Sequence, residues 1–355
     1  MRKFTLFLVL GLAAIIALAF LWPEKTYKPY KVSEAYKTQA EAYNIPSMPA
    51  DWTWNSFETK EGTYLRWGET GNRMTAETTI IIIPGYTATV SMYGEHIDLL
   101  AERGFHVIGL DLRGQGGSER HFKDQPEKLW VEDFSVYSQD VAQFVMSQSF
   151  SDDHKIIPMA MSFGGHVALR TAGEYPKVFD GLALIAPAIE PKAGDMEFKK
   201  ALSLMNTLRK FGKAKRYVPG NTDWQPVGEN YSIAGIELCS SNPNRLYLRD
   251  AIFTRMPEQR VGGVTNQWGA EFFESSEVIR EAKFLEAITI PIYIASAERD
   301  DFVVTETNHT VCNESLKNCR YVTYNETGHC LPQESDDVVN SIFDEIEKLS
   351  KNLQN

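Results

Sequence analysis

The stretch Lys155–Leu169, KIIPMAMSFGGHVAL, reads as a short apolar strand, a tight turn of small residues around Ser162, and an apolar helix. A serine hydroxyl is a weak nucleophile and needs a base beside it and oxyanion donors close by. A sharp strand-to-helix turn supplies part of that geometry. It lifts the hydroxyl out of the sheet edge and aims backbone N–H groups of the helix start at the reacting oxygen. Ala160 two residues before and Gly164 two after keep the turn free of bulk, although the usual pattern has glycine at both places. Ser162 is the expected nucleophile.

Around this turn, strands and helices alternate. FETKEGTYLRW, residues 57–67, looks like a β-hairpin with Gly62 at its middle. Thr78–Ile83 is a continuous β-branched run, as expected of a strand buried on both faces of a parallel sheet, and it ends in Pro84-Gly85-Tyr86. A helix over Met92–Arg103, a strand over His106–Leu110, the loop DLRGQGGS at 111–118 and a helix over Val131–Ser149 follow. Strand Gly181–Ala186 comes after the nucleophile helix. From Pro187 to about Leu285 the alternation lapses into an amphipathic segment, Met196–Phe211, and scattered aromatics: Trp224, Tyr247, Phe253, Trp268, Phe272 and Phe273. These residues suit the core of a small helical subdomain that also roofs the site. Strand Ile290–Ala297, helix Glu306–Leu316, strand Arg320–Tyr324 and helix Asp336–Ser350 then resume the pattern.

The expected fold is α/β: a mostly parallel central sheet flanked by helices, with a helical cap inserted after the sixth strand. The expected division is a terminal segment 1–22, a linker 23–56 with one short helix near Ser33–Tyr43, a core 57–186 and 286–355, and a cap 187–285.

In such a sheet, ligands sit at the carboxyl ends of the strands, so catalytic partners should follow late strands. His329, in NETGH after Tyr321–Tyr324, is the one histidine of seven in a loop after a late strand. It is the expected base. His166, in the helix behind Ser162, suits packing instead. The acid that orients the imidazole should follow strand Ile290–Ala297, where the chain reads Glu298-Arg299-Asp300-Asp301-Phe302. Asp301 is preferred because it directly precedes the apolar Phe302-Val303-Val304, with Asp300 second and Glu298 third. The expected oxyanion donors are the backbone N–H groups of Phe163 and of Tyr86, the latter just after Pro84-Gly85.

With these residues in place, the chain resembles an α/β-hydrolase, and more narrowly the lysophospholipase and monoacylglycerol lipase branch. The resemblance spans most of 57–350. It is carried by Pro84-Gly85-Tyr86, the 111–118 loop, Ser162-Phe163-Gly164-Gly165-His166, Asp301-Phe302-Val303-Val304 and Gly328-His329. Pro84 stands where the family has histidine, and Ala160 where it has the first elbow glycine. The 111–118 loop is expected to be structural, with Arg113 as a polar anchor. The resemblance implies a serine carboxylic ester hydrolase acting on a lysophospholipid or monoacylglycerol-like lipid, without metal or organic cofactor. Alternatives are a peptidase of the proline-iminopeptidase kind, for which Glu229, Glu237 and Glu271 are possible amine-binding acids, an acyltransferase, and a non-catalytic envelope binding protein.

Composition narrows the partners. A net charge of −11 over 355 residues argues against nucleic acid or an anionic membrane surface as an electrostatic partner. Met-Arg-Lys precedes an apolar run from Phe4 to Trp22, which as a helix would be about 28 Å long, close to the bilayer core. It reads as an uncleaved membrane anchor or, with Ala17-Leu18-Ala19, as a signal peptide. Both readings place the rest of the chain outside the cytoplasm, in the cell envelope or exported. Of the four cysteines, Cys312 and Cys319 could close a small loop. N-x-S/T strings occur at Asn230, Asn308, Asn313 and Asn325.

Overall fold

Isoleucines 80 to 83 point alternately to the two faces of the central sheet, and all four are fully buried. A strand covered on both faces has no polar side, which is why its sequence shows no alternation. Burying each such side chain stabilises the fold by about 1.5–3 kcal/mol. The computed structural model describes residues 27–226, 239–242, 245 and 247–354. Within them, eight strands form one sheet: β1 (Thr53–Glu58), β2 (Tyr64–Thr70), β3 (Thr78–Ile83), β4 (His106–Leu110), β5 (Lys155–Met161), β6 (Leu182–Ile185), β7 (Ile292–Arg299) and β8 (Cys319–Gly328). Their order is β1-β2-β4-β3-β5-β6-β7-β8. The β1–β2 and β2–β4 pairs are antiparallel, and every later pair is parallel.

Helices α1 (Glu34–Ala42), α2 (Gly94–Glu102), α3 (Ser135–Ser147) and α4 (Phe163–Glu174) precede β6 or connect the early strands. Between β6 and β7 lie α5 (Phe198–Leu208), α6 (Leu248–Arg255), α7 (Asn266–Ile279) and α8 (Ala282–Glu286), and α9 (Thr305–Thr310) and α10 (Asp336–Gln354) complete the described set. Ile81 and Ile83 pack with α3, α4 and α7 residues such as Phe144, Val167 and Ile279. Ile80 and Ile82 pack on the other face with Ile97 and Leu100 of α2 and Ile342, Phe343 and Ile346 of α10.

The stretch expected as a linker is part of this second core where it is described. Ser33 caps α1 by accepting from the N–H of Tyr36. Val32, Tyr36 and Ala40 are buried. The Tyr36 hydroxyl donates to Asp250 Oδ2 of α6 at 2.8 Å, and Arg255 donates to the carbonyls of Ala40, Glu41 and Tyr43. The composition, rich in Tyr, Lys and Pro, concealed this because its anchoring contacts are polar and more than two hundred residues distant in sequence. No described helix is long and apolar enough to cross a membrane, and the apolar segment 1–22 lies outside the described residues. Two disulfides close, Cys312–Cys319 and Cys239–Cys330.

Two buried histidines make this core sensitive to acid. His96 of α2 sits against the Pro332 carbonyl, 2.7 Å from Nε2, and burial pushes its pKa down to about 4. Burial lowers His166 to about 3. The unfolded chain binds these protons below a pH of about 6.5, and the fold does not until far lower, so stability falls as pH drops through that window. Each histidine should cost about 2 kcal/mol on going from pH 7 to pH 5. Urea unfolding at the two pH values should find the drop smaller by about that amount in His96→Gln than in the parent protein.

Candidate active site

Ser162 leaves β5 with φ 52° and ψ −114°, outside the regions that L-residues ordinarily occupy. Its backbone is held on both sides. The N–H donates to the Ile185 carbonyl at 2.9 Å, and the carbonyl accepts from the N–H groups of His166 and Ala188, each at 3.0 Å. Gly164 is pressed so closely on the end of β3 that a β-carbon there would run into the carbonyl oxygens of Ile83 and Pro84. Ala160 is fully buried between Ile83 and Leu184 in the sheet, where a methyl group fits.

His329 follows β8, and its Nε2 lies 2.8 Å from Ser162 Oγ. Its Nδ1 lies 2.7 Å from Asp300 Oδ2. The carboxylate that meets the imidazole is therefore that of Asp300, a correction to the expectation of Asp301. β7 runs two residues beyond Ala297 to Arg299, so Asp300 is the first residue off the strand. Its Oδ1 accepts from the N–H groups of Phe302 at 2.8 Å and Val303 at 3.0 Å, which turns the chain and leaves Oδ2 for the imidazole. Asp301 and Glu298 are exposed, and the latter accepts from the N–H of Glu326. The Asp300 carbonyl accepts from Lys192 Nζ at 2.7 Å, and Lys192 N donates to the Phe302 carbonyl. The acid loop is thus stitched to the segment leaving β6.

The Phe302 ring lies 5.0 Å from the His329 ring and is 47% exposed, an apolar cover at the mouth of the site. His166 takes no part in this chain: its ring nitrogens sit 2.9 Å from the Ala188 carbonyl and 2.7 Å from Ser275 Oγ.

Gly85 lies against Ser162, where a β-carbon would be 3.2 Å from Ser162 Cβ and 3.3 Å from the Met161 carbonyl. Gly85 precedes Tyr86, and Phe163 follows Ser162 directly in the chain. The side chains of Tyr86 and Phe163 are both anchored away from Ser162. The Tyr86 hydroxyl donates to the Gly262 carbonyl at 2.8 Å, and its ring lies 5.8 Å from Trp268. The Phe163 ring is buried among Phe134, Tyr137, Trp268 and Phe272. Trp268 and Phe272 thus tie α7 to the core. Phe273 stacks on Phe198, and Phe253 packs on Trp224, so these aromatics serve packing first.

Two contacts whose partners no sequence pattern marks support the His329 loop. Glu334, buried, accepts from the N–H of Gly328 at 2.8 Å and of Ser241 at 3.0 Å. Cys330, next to His329, is bonded to Cys239 and donates its N–H to the Cys239 carbonyl. A 91-residue separation carries no pairing signal in a sequence.

A mostly parallel eight-stranded sheet with a serine at a strained strand-to-helix turn, and a histidine and an aspartate at later strand ends, defines an α/β-hydrolase of the serine hydrolase type. Within it, the chain belongs to the serine aminopeptidase S33 family, whose model matches residues 75–336. Human monoglyceride lipase is 24% identical over 260 residues, covering 71% of this chain and 78% of that enzyme. Lysophospholipase L2 of Escherichia coli K12 is 25% identical over 236 residues, covering 66% of each chain. Among solved structures, a soluble variant of the Saccharomyces cerevisiae monoglyceride lipase in complex with a substrate analogue superposes with a TM-score of 0.65 at 16% identity, over 88% of this chain and 99% of that one.

Asp300→Asn should lower kcat on an activated ester by roughly 10³- to 10⁴-fold, the cost of losing a triad carboxylate. Asp301→Asn should leave kcat within about twofold, since an exposed acid outside the chain holds neither tautomer nor charge. Equal losses in the two variants would reassign the acid.

Proposed function

We propose that this protein is a lipid esterase that cleaves the acyl ester of a lysophospholipid or a monoacylglycerol through an acyl-enzyme on Ser162. The observation that carries the reading is the hydrogen-bonded chain from Ser162 Oγ through His329 to Asp300. Ser162 Oγ attacks the ester carbonyl as its proton passes to His329 Nε2. Asp300 holds the Nδ1–H and stabilises the imidazolium. The N–H groups of Phe163 and Tyr86 take the charge that develops on the carbonyl oxygen, each worth about 3–4 kcal/mol in comparable sites. The intermediate collapses by breaking the C–O bond to the glycerol moiety, which leaves with the proton from His329. Water then attacks the acyl-enzyme, giving a proton to His329, and Ser162 recovers that proton as the fatty acid departs.

Monoglyceride lipase and lysophospholipase L2 as relatives favour a glyceride or lysolipid, and the half-exposed Phe302 beside the base suits an apolar substrate. On this reading the helices between β6 and β7 form a cap over the acyl pocket. The family description favours a second reading, an aminopeptidase. That enzyme needs an acid free for the substrate amine. Of the acids considered, Glu271 is engaged by Arg209 at 2.8 Å, by Gln267 and by the N–H of Phe134. Glu229 and Glu237 lie outside the described residues.

The catalytic domain works outside the cytoplasm, held by the 1–22 segment or released from it. Two disulfides support this, because such bonds persist in oxidising compartments.

The test is a hydrolysis panel run with residues 24–355 and the Ser162→Ala variant, over p-nitrophenyl esters of graded length, monoacylglycerol, lysophosphatidylcholine and an aminoacyl-proline amide. Serine-dependent fatty acid release from a glyceride or lysolipid is expected. Cleavage of the amide alone would move the protein to the peptidases. Alkaline phosphatase fused after residue 355 in a bacterial host should be active, as it folds only outside the cytoplasm.

A further inference from the structure

The loop DLRGQGGS is the one motif of the sequence that the hydrolysis scheme leaves without a task. Two of its side chains, those of Asp111 and Gln115, reach the loop that runs from Gly85 to Val90, while Arg113 forks away onto Asp140. Asp111, buried, accepts through Oδ1 from the N–H of Val90 at 2.8 Å, while its Oδ2 takes Arg66 Nε at 2.7 Å and the N–H of Gly117 at 3.0 Å. Gln115, also buried, sets its carboxamide across Gly85-Tyr86-Thr87. Its Oε1 accepts from the N–H of Thr87 at 2.8 Å, and its Nε2 donates to the Gly85 carbonyl at 3.3 Å.

We infer that Gln115 is a positioning residue for the oxyanion pocket, fixing the plane of the peptide that carries the Tyr86 N–H. The inference rests on the proposed reading of Ser162 as nucleophile and Tyr86 N–H as oxyanion donor. Its physical core is the planarity of the peptide unit. The Gly85 carbonyl and the Tyr86 N–H belong to one trans peptide and point in opposite directions. Holding the carbonyl oxygen on the Gln115 side aims the N–H away from Gln115, and Gly85 itself lies against Ser162. The second bond fixes the following peptide. There Thr87 has φ 58°, a left-handed conformation that a β-branched residue does not hold unless its surroundings impose it.

Other contacts on the loop do less to set this plane. The N–H of Ala88 also reaches the Gly85 carbonyl, at 3.2 Å, and Arg249 Nη1 lies 3.3 Å from Thr87 Oγ1. The first is local to the loop and moves with it. The second touches a side chain rather than a peptide. Gln115 is itself fixed, because its N–H donates to the Leu112 carbonyl and its own carbonyl accepts from the N–H of Ser118, both at 3.0 Å. A carboxamide is suited to the task, since it offers an acceptor to one peptide and a donor to its neighbour.

The experiment compares Gln115→Leu, Gln115→Glu and Ser162→Ala with the parent protein. It measures kcat and KM on p-nitrophenyl butyrate, the inhibition constant of an alkyl trifluoromethyl ketone that forms a tetrahedral adduct on serine, and thermal unfolding. Gln115→Leu should lower kcat by roughly 10- to 100-fold with KM changed less than about twofold, as for a misplaced catalytic dipole. Ketone affinity should fall by the same factor as kcat/KM, since both depend on the oxyanion contact. Gln115→Glu keeps the acceptor for Thr87 but sets a carboxylate oxygen against the Gly85 carbonyl. It should lose kcat in the same way, and it serves if the leucine variant does not fold. Either folded variant with kcat within twofold of the parent would overturn the inference. So would a fall in kcat without the matching fall in ketone affinity. Full activity in Ser162→Ala would instead overturn the underlying reading and this inference with it.

Discussion

The backbone of Ser162 is held where a serine does not ordinarily rest, and much of the molecule can be read as what keeps it there. A left-handed φ costs of order 1–3 kcal/mol, and it persists only when the surroundings over-determine it. Here they do so from three directions. Ile185 at the end of β6 accepts the serine N–H. The first turn of α4 and the segment after β6 donate back to its carbonyl through His166 and Ala188. Gly164 admits the ends of β3 into contact with the helix start. Three neighbouring strands thus converge on one residue, and their burial on both faces makes their positions rigid enough to hold it.

The partners of the serine are held differently. Asp300 divides one carboxylate between two tasks, turning its own loop with one oxygen and orienting His329 with the other. His329 stands on a loop supported by the buried Glu334 and tethered through Cys330. Ser162 is therefore positioned by sheet geometry, and His329 and Asp300 by side chains that bind backbone. A substitution in the sheet should disturb all three residues, whereas one in the loops can move the base or the acid alone.

What was legible in the sequence follows this division. That Ser162 and His329 would meet could be expected because each follows a segment readable as a strand, the apolar KIIPMAM before the serine and the shorter RYVTY before the turn to the histidine. The parallel sheet and the hairpin were legible for the same reason. Asp300 and Asp301 could not be separated, because the choice depends on where β7 ends and which side chain then turns inward, and no apolar pattern marks either. Arg113 does act as a polar anchor, forking onto Asp140 at 2.5 and 2.6 Å. The contacts of Gln115 lie 28 and 30 residues away, and the glycine-rich spelling of its loop suggests turns rather than the target of one amide. The packing of α1 on α6 was hidden too, since tyrosine and arginine carry it in place of an apolar face.

The disulfide between Cys239 and Cys330 turns the chain between them into a closed ring. That ring takes in α6, α7, α8, β7, Asp300 and His329, and it contains the smaller ring of Cys312–Cys319. Ser162 lies outside it. Topologically, the enzyme is a linear chain bearing Ser162 joined to a ring bearing His329 and Asp300. One backbone cut anywhere inside the ring leaves His329 and Asp300 covalently attached to the chain that carries Ser162. A cut between Ser162 and Cys239 severs that connection, because no described disulfide crosses it.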